Sequence, residues 1–318
     1  MFEVFDKLTK KLKEYKNVLV ISHKNTDLDG LTSSLLVCQI AQKFGKTANV
    51  YLTDKNDNVK KVDNLFSDEF ITANCEKFIP EETLLVVLDT NSTVYIEEPK
   101  LLDIYKHVIV IDHHARTESS IKEPEMCYIN NALSSIIEFM TYYIRHINFK
   151  IDENLATLML AGLEIDTNSF NFKTTPDTYK AAGILVELGA SLVLKQEILR
   201  ESREDIIKRN ELLKKSYAYK DIVSICVLDE GKYNPAELAQ IADELLHFKN
   251  IEISFCLGFV SKDEVRVSIR TIGNYNAGDI ALKLGGGGSV MAAAASVGDS
   301  LEKAEKEIKK LVGEIIWK

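Results

Sequence analysis

Short apolar runs alternate with amphipathic segments along the N-terminal part of the chain. The apolar runs have the length of buried strands and lie at residues 17–21, 49–52, 84–88 and 108–111. The amphipathic segments have helical spacing and lie at residues 2–15, 30–44, 132–147, 153–163 and 175–188. Strands that alternate with helices are typical of α/β folds, so the pattern predicts an α/β domain with a parallel sheet.

A second pattern begins after a long charged stretch. Residues 192–216 have helical spacing with many charged positions, which indicates a helical linker rather than a core helix. Beyond it, strands are predicted at 222–228, 251–260 and 264–271, and helices at 235–246, 277–284 and 301–317. The predicted organisation is therefore an α/β domain at residues 1–191, a helical linker at 192–216 and a smaller α/β domain at 217–318.

Length and charge exclude some classes of protein. At 318 residues, the chain has room for about two domains. It carries 39 Lys and Arg against 48 Asp and Glu, a formal net charge of −9. Phosphate binding needs positive charge, so a general nucleic-acid coat is a poor interpretation and no long nucleic acid is expected as a partner.

The cysteines and the apolar runs indicate in which cellular compartment the protein is found. The five cysteines are odd in number and none has Cys-x-x-Cys spacing, which argues against a disulfide framework and a thiolate zinc site. The N-terminus has no secretory signal pattern, and the apolar runs are too short to span a bilayer. We therefore expect a cytoplasmic protein with free thiols and no membrane-embedded segment.

Acids and imidazoles follow three of the predicted strands. The carboxyl ends of parallel strands line the ligand crevice of an open sheet, so these side chains are expected to lie together. They are His23, Asp27 and Asp29 after the first strand, Asp89 after the third, and Asp112, His113 and His114 after the fourth.

This set of side chains predicts a metal centre. Clustered carboxylates repel one another and are costly to desolvate, so a cation is needed to neutralise them. Imidazole and carboxylate without thiolate suit Mn²⁺, Mg²⁺, Fe²⁺ or Zn²⁺, and two ions that share a bridging carboxylate fit the number of groups better than one. The alternative is that strand-end Asp residues cap helices or form turns.

Other candidate positions are ambiguous on their own. Asp166 follows the apolar run 158–163 and could simply cap the next turn. The glycines at 285–288 would let backbone N–H groups approach an anion, or could form a plain flexible loop. The remaining histidines, His107, His146 and His247, are expected to be structural or surface residues.

The motifs together resemble those of a known family. The first strand-end motif, Asp89 and the Asp112-His113-His114 triplet resemble the DHH phosphoesterase superfamily. Residues 268–270 (Ser-Ile-Arg) and the glycine run resemble its DHH-associated substrate-binding domain. Residues 161–170 and 173–182 look most like the cyclic-di-AMP phosphodiesterases of the GdpP type, and the nanoRNase/pAp-phosphatase branch is similar but more distant.

The resemblance implies a role for each of these positions. His23 and Asp27 would bind the first ion, Asp29 the second, and Asp89 both, while His113 and Asp166 would complete the second site. His114 would face the scissile phosphate and Asp112 would orient an imidazole. Substrate contacts would come from Arg270, Asn276, Gly286, Gly287, Gly288 and Ser289. Ser289 stands where the family usually has His, so that contact is weakened or replaced.

The implied function is hydrolysis of cyclic-di-AMP to linear pApA. A hydroxide held between two Mn²⁺ ions per subunit, with Mg²⁺ or Fe²⁺ possible, would attack phosphorus in line while the second domain closes over the substrate. The resemblance also implies a homodimer. The alternatives are a short oligoribonuclease or pAp phosphatase, and a catalytically silent nucleotide-binding module. GdpP-type proteins carry further membrane and sensory regions, so the chain is either an excised catalytic part or a stand-alone relative.

Overall fold

A computed structural model describes residues 1–53, 55–229 and 231–316 of the chain. The chain divides into two compact units, Met1–Arg200 and Glu201–Lys318. The end of the helix predicted to reach Trp317, and the predicted domain end at Lys318, lie outside the described residues. Within the described residues, no helix is both long enough and apolar enough to cross a membrane.

The first unit is built on a parallel sheet of six strands. The strands are β1 (Asn17–Ile21), β2 (Thr47–Tyr51), β3 (Ile71–Thr72), β4 (Thr83–Leu88), β5 (His107–Asp112) and β6 (Met126–Ile129). They lie in the order β3-β2-β1-β4-β5-β6, and every neighbouring pair is parallel. The predicted α/β fold with a parallel sheet is confirmed. The edge strands β3 and β6 were not predicted because neither is a continuous buried apolar run.

Alternate residues of the central strands point into two apolar layers. Val18 and Val20 of β1 pack in the larger core, whereas Leu19 and Ile21 pack in a smaller core on the other face of the sheet. The helices of the unit are α1 (Phe2–Glu14), α2 (Leu28–Lys43), α3 (Asp57–Lys60), α4 (Leu101–Ile104), α5 (Ile136–His146), α6 (Glu153–Asp166), α7 (Pro176–Glu187) and α8 (Leu192–Leu199). Every residue of β1 and of β4 is buried, as expected of strands that are apolar after their first residue.

The second unit has its own mixed sheet and its own cores. Its elements are α9 (Arg203–Leu213), β7 (Ser216–Tyr219), β8 (Val223–Leu228), α10 (Pro235–Leu245), β9 (Ile253–Ser261), β10 (Glu264–Thr271), α11 (Ala277–Lys283), β11 (Gly287–Gly288), β12 (Ala292–Ser296) and α12 (Leu301–Ile316). The strand order is β11-β12-β10-β9-β8-β7, with β8 and β9 parallel and the other neighbours antiparallel.

The charged stretch 192–216 is not one continuous helix. It forms α8 and α9, separated at Arg200–Ser202, and Ser216 already belongs to β7. Ser202 starts the second helix because its hydroxyl accepts a hydrogen bond from the backbone N–H of Asp205 at 3.0 Å. The two units divide at this break, so α8 belongs to the first unit and α9 to the second.

The order of the strands fixes where a ligand crevice can form. From β1 the chain runs outward to β2 and β3, and then returns to the other side of β1 for β4, β5 and β6. The direction of winding thus reverses between β1 and β4. In open parallel sheets, ligands bind outside the carboxyl ends of the strands at such a reversal.

Candidate metal centre and substrate contacts

The predicted site residues of the first unit lie at the ends of the elements that meet at this reversal. His23 follows β1, Asp27 caps the N-terminus of α2, and Asp29 lies in its first turn. Asp89 follows β4 directly, Asp112 ends β5, and His113 and His114 come next along the chain. Asp166 is the last residue of α6 rather than a cap for a following turn.

Asp89 lies between two histidines from different strand ends. Its Oδ2 is 3.3 Å from His23 Nε2, and its Oδ1 is 3.2 Å from His113 Nε2. Asp89 is only 2% exposed, and its backbone is left-handed, with a φ of 59°. Asp tolerates this conformation better than most residues, and the turn aims one carboxylate at both imidazoles.

The first group of side chains consists of His23, Asp27 and Asp89. His23 Nδ1 lies 2.8 Å from the carbonyl oxygen of Lys24, which can only accept, so Nδ1 carries the proton. His23 Nε2 therefore faces the carboxylates, 3.7 Å from Asp27 Oδ2. Burial would lower the pKa of His23, but Asp27 and Asp89 raise it to about 11. Fixing the far nitrogen to a carbonyl is how proteins orient a metal-binding histidine.

The second group consists of Asp29, His113 and Asp166. His113 Nε2 lies 3.7 Å from Asp29 Oδ2 and 3.7 Å from Asp166 Oδ2. The Asp29 carboxylate also accepts hydrogen bonds of 2.8 Å from the backbone N–H groups of Ile136 and Ile137. These are free donors at the start of α5, so the helix holds Asp29 in place through its backbone.

The crowding of carboxylates shifts the pKa values of the acids and histidines in the centre. Burial raises the pKa of Asp29 to about 7, and the charge of Asp89 adds to the effect. Burial and the charge of Asp29 likewise raise the pKa of Asp166 well above its usual value. Burial would lower the pKa of His113, but the attraction of Asp89 and Asp29 raises it to about 9. The centre thus favours the binding of positive charge, as protons or as cations.

The geometry and the donor set fit divalent ions. In the described part of the chain, ligand atoms within 4.8 Å of one another occur in three sets: His23, Asp27 and Asp89; Asp29, His113 and Asp166; and Asp89, His113 and His114. Among the described residues, Asp89 Oδ1 is buried and has no hydrogen-bond partner, although His113 Nε2 lies 3.2 Å away. Oxygen and imidazole donors of this kind suit Mn²⁺, Mg²⁺, Fe²⁺ and Zn²⁺.

Asp112 holds His114 at the mouth of the centre. Asp112 is fully buried, and its Oδ1 accepts from the backbone N–H of His114 at 3.1 Å and from His114 Nδ1 at 2.9 Å. The His114 side chain is 57% exposed. The other oxygen, Asp112 Oδ2, accepts from the amide of Asn91 at 2.5 Å. Sequence reasoning passed over Asn91, although it comes two residues after Asp89 in the loop that follows β4.

The candidate substrate contacts of the second unit have partners within that unit. Arg270 Nε donates to Asp243 Oδ1 at 2.7 Å, and burial raises the pKa of Asp243 despite this contact. Asn276 caps α11 by accepting from the backbone N–H of Asp279 at 3.2 Å. Ser289 Oγ lies 3.2 Å from both the backbone oxygen and the backbone nitrogen of Ala292.

The second half of the glycine run is part of the second sheet rather than a free loop. Gly287 and Gly288 form β11, paired with Ala294 and Ala293 of β12. A Cβ on Gly286 would lie 2.1 Å from the carbonyl oxygen of Ala294, and one on Gly288 would lie 2.4 Å from that of Ala292. A Cβ on Gly287 would meet nothing within 4 Å. Close backbone approach therefore requires two of these glycines whether or not an anion binds.

The remaining histidines lie beside carboxylates outside this set. His107 Nδ1 is 2.6 Å from Glu125, His146 Nε2 is 2.9 Å from Asp6, and His247 Nδ1 is 3.5 Å from Glu244. All five cysteines are free thiols.

Two sequence models and several known proteins match the chain. The model of the DHH family N-terminal domain matches residues 17–163, and that of the DHHA1 domain matches residues 215–318. The cyclic-di-AMP phosphodiesterase GdpP of Bacillus subtilis (strain 168) is 31% identical over 317 residues, which cover 95% of this chain and 48% of that protein. The cyclic-di-AMP phosphodiesterase PdeA of Listeria monocytogenes serotype 1/2a (strain 10403S) is 30% identical over 314 residues, with the same coverage. The chain thus spans about half the length of the curated relatives it matches.

A solved structure shares the fold over the whole chain. It is the crystal structure of an exopolyphosphatase-related protein from Bacteroides fragilis, with a TM-score of 0.82 and 20% sequence identity. The match covers 99% of this chain and 96% of that one. At this identity, the likeness is one of fold alone.

Proposed function

Because the chain belongs to the DHH family and carries a DHHA1 domain, we propose that it is a metal-dependent phosphodiesterase that hydrolyses a cyclic dinucleotide. The proposed reaction is the opening of cyclic-di-AMP to linear pApA. Two curated relatives with about 30% identity along 95% of the chain are named for hydrolysis of cyclic-di-AMP, which supports this choice of substrate.

The observation that carries the proposal is the position of Asp89. One buried carboxylate presents its two oxygens to two imidazoles, at 3.3 and 3.2 Å, and each imidazole belongs to a separate group with further carboxylates. A single ion would leave one of these groups uncompensated. The arrangement therefore supports two ions, with Asp89 as their common ligand.

Each group supplies its own further ligands. His23 and Asp27 would hold one ion, and Asp29, His113 and Asp166 would hold the other. Manganese is the proposed metal, because it accepts a mixed set of imidazole and carboxylate donors. Divalent ions bound here would lower the pKa of a water molecule and neutralise charge on the phosphate oxygens.

His114 contacts the substrate phosphate in this proposal. Its Nδ1 is bonded to Asp112, so the opposite ring nitrogen, Nε2, is free to face a phosphate oxygen. The exposure of the side chain leaves room for such a ligand. Asp112 keeps the ring in one orientation and stabilises positive charge on it as negative charge develops on the phosphate.

Arg270 is the proposed contact for the other phosphate of the substrate. Its guanidinium is bonded to Asp243 through Nε, and Nη1 donates to the backbone oxygen of Ile269 at 3.1 Å. A guanidinium has five N–H donors, so further donors remain for an oxyanion. Asn276, Gly286, Gly287, Gly288 and Ser289 are proposed to lie near the same phosphate.

A substrate panel tests the proposal. The purified chain is incubated with cyclic-di-AMP, linear pApA or pAp, in Mn²⁺, Mg²⁺ or EDTA, and the products are separated by HPLC. We expect cyclic-di-AMP to be consumed in Mn²⁺ with pApA as the product, and no turnover in EDTA.

Other outcomes would assign a different function. Faster cleavage of pApA or pAp than of cyclic-di-AMP would identify a short oligoribonuclease or pAp phosphatase. Binding of cyclic-di-AMP in Mn²⁺ with no cleavage of any compound would identify a silent nucleotide-binding module and contradict the proposal.

A further inference from the structure

A chain of hydrogen bonds leads from the loop after the paired histidines back to the imidazole of His114. Ser120 Oγ donates to Asn91 Oδ1 at 2.5 Å, and Asn91 Nδ2 donates to Asp112 Oδ2 at 2.5 Å. The opposite oxygen of Asp112 accepts from His114 Nδ1 at 2.9 Å. Three polar side chains therefore stand in series behind the ring that is proposed to face the phosphate.

In each hydrogen bond of this series, it is fixed which group donates and which accepts. A carboxylate only accepts, so Asn91 must turn its NH₂ group toward Asp112 and its Oδ1 toward Ser120. The Ser120 hydroxyl must then donate to Asn91, while its oxygen accepts from the backbone N–H of Thr117 at 2.9 Å. The second N–H of the Asn91 amide points at the backbone oxygen of His114, 3.2 Å away.

Burial holds the side chains of this hydrogen-bond series in place. Asn91 is 4% exposed and Asp112 is fully buried, so water does not compete for their polar atoms. The backbone oxygen of Asn91 also accepts from the N–H of Ile121 at 2.7 Å, which ties the two loops together. His114 is more than half exposed and is held from behind, through Asp112.

From these contacts we infer that Asn91 and Ser120 are positioning residues for the phosphodiesterase reaction. They fix the rotation of the Asp112 carboxylate, and through it the plane of the His114 ring. Without the hydroxyl of Ser120, the Asn91 amide loses the partner that sets its orientation. The carboxylate of Asp112 then has more than one rotation available, and the ring spends less time in the reactive orientation. This inference rests on the proposed function, since it is through His114 that the effect reaches the substrate.

Ser120→Ala is the sharpest variant, because it removes one hydroxyl from a partly buried loop residue. We expect kcat to fall about five-fold, as for the loss of one hydrogen bond, with KM unchanged and the melting temperature lowered by only a few degrees. Ser120→Thr keeps a hydroxyl at the same place and should restore most of kcat.

The neighbouring Ser119 provides a matched control. Its hydroxyl is bonded to Ser92 Oγ and to Thr117 Oγ1, both at 2.8 Å, and has no bond to Asn91 or Asp112 in the part of the chain that the structure describes. Ser119→Ala should therefore leave kcat at the wild-type value. Equal losses in the Ser119 and Ser120 variants would mean that the loop acts only as a structural support and would overturn the inference.

The same substitution in a His114→Ala protein tests whether Ser120 acts by positioning His114 or in some other way. In a His114→Ala protein there is no ring to orient, so adding Ser120→Ala should cause no further loss of residual activity. If Ser120→Ala lowers kcat by the same factor in both backgrounds, Ser120 does not act through His114.

Nitrogen-15 NMR of the histidine rings tests this series of hydrogen bonds by a measurement that does not depend on enzymatic activity. The His114 ring nitrogens, assigned by comparison with His114→Gln, should shift in Ser120→Ala and return in Ser120→Thr. Unchanged His114 signals would overturn the inference even in an active enzyme. A wild-type protein that cleaves nothing in the substrate panel would refute the proposed function, and the NMR result would still show whether Ser120 orients His114.

Discussion

At the scale of single residues, the backbone of Asp89 determines what the centre can do. The strand β4 ends at Leu88, and the next residue has a left-handed backbone with a φ of 59°. Such a conformation costs of order 1 kcal/mol for a residue other than glycine, and it persists where the surroundings impose it. Here the N–H of Asp89 donates to the carbonyl oxygen of Ile111 at 3.1 Å, which anchors the turn to β5.

Asp89→Asn should abolish most of the hydrolytic activity while leaving the fold intact. Asn tolerates the left-handed conformation as well as Asp does, so the turn is kept. The carboxylate that is proposed to be shared by two ions would be lost, and we expect kcat to fall at least about 100-fold. Initial rates in Mn²⁺ measure the effect. Asp57→Asn, at a side chain that is 97% exposed, is the control and should retain the wild-type rate.

At the scale of elements, Glu125 attaches α1 to the sheet. Its carboxylate accepts from Lys11 Nζ at 2.5 Å and Tyr15 Oη at 3.0 Å, and lies 2.6 Å from His107 Nδ1 at the start of β5. Burial would raise the pKa of Glu125, but the bonds from Lys11, His107 and Tyr15 hold it at about 2. A lowered acid pKa means that the ionised form stabilises the folded state.

Glu125→Gln should therefore destabilise the protein in a pH-dependent way. The stabilisation is fully present above the usual Glu pKa of about 4.5 and is lost as the pH falls toward about 2. Because the Glu125 side chain is 28% exposed, solvent screens its ion pairs, and we expect the free energy of unfolding to drop by about 0.5–1 kcal/mol at pH 7, with the gap to wild type closing in acid. Urea unfolding at several pH values measures it. Glu14→Gln, which removes a more exposed partner of Lys11, should change stability by less than about 0.5 kcal/mol.

The pairing of β11 with β12 depends on two of the four glycines. A side chain at Gly286 or Gly288 would collide with backbone oxygens of the β12 segment, whereas one at Gly287 would point into open space. Gly286→Ala and Gly288→Ala should each cost about 1–3 kcal/mol of stability by urea unfolding, and Gly287→Ala should cost far less. Equal stability of all three variants would show that the strand can move aside.

At the scale of the whole molecule, bound ions should stabilise the fold, and more so at higher pH. The pKa of Asp29 is raised to about 7, so the ion-free fold loses stability as the pH rises from about 4 through 7. The pKa of His113 is raised to about 9. The stability that protonated His113 gives the ion-free fold is therefore fully present below about pH 6.5 and is lost as the pH rises through 9. Divalent ions bound at the centre would take the place of these protons.

We therefore expect Mn²⁺ to raise the melting temperature over EDTA by several degrees at pH 8 and by less at pH 6. Differential scanning fluorimetry of the full chain gives both values. The gain should shrink in Asp89→Asn. A gain that is the same at both pH values would contradict the idea that cations take the place of protons in this centre.

The sequence predicted those parts of the molecule that are determined by residues close together along the chain. Short apolar runs predicted the inner strands β1, β2, β4 and β5, and the acids and imidazoles after β1, β4 and β5 came together because parallel strands end at one edge. The edge strands escaped prediction because β3 has two half-buried residues and β6 has three of four. Asp166 could be predicted only from resemblance, since its local sequence is equally that of a helix end.

Contacts between distant segments could not be predicted from local patterns. The bond from Asn91 to Asp112 joins residues 21 positions apart, and nothing near Asn91 distinguishes it from an ordinary loop amide. The break between α8 and α9 did leave a signal, a Ser three residues before an Asp, and the surrounding helical periodicity outweighed it. The partnership of Arg270 with Asp243 likewise appears only once β10 and α10 are packed together.

The anchoring of Asp29 has a consequence for how the sequence can drift over evolutionary time. Its carboxylate is held by the main-chain N–H groups of Ile136 and Ile137, and every residue except proline offers such a group. Substitutions at these two positions can alter the apolar packing without deleting the donors. The anchor thus depends on the course of the backbone at the start of α5 and on the side chain of Asp29, and not on the identity of the side chains at 136 and 137.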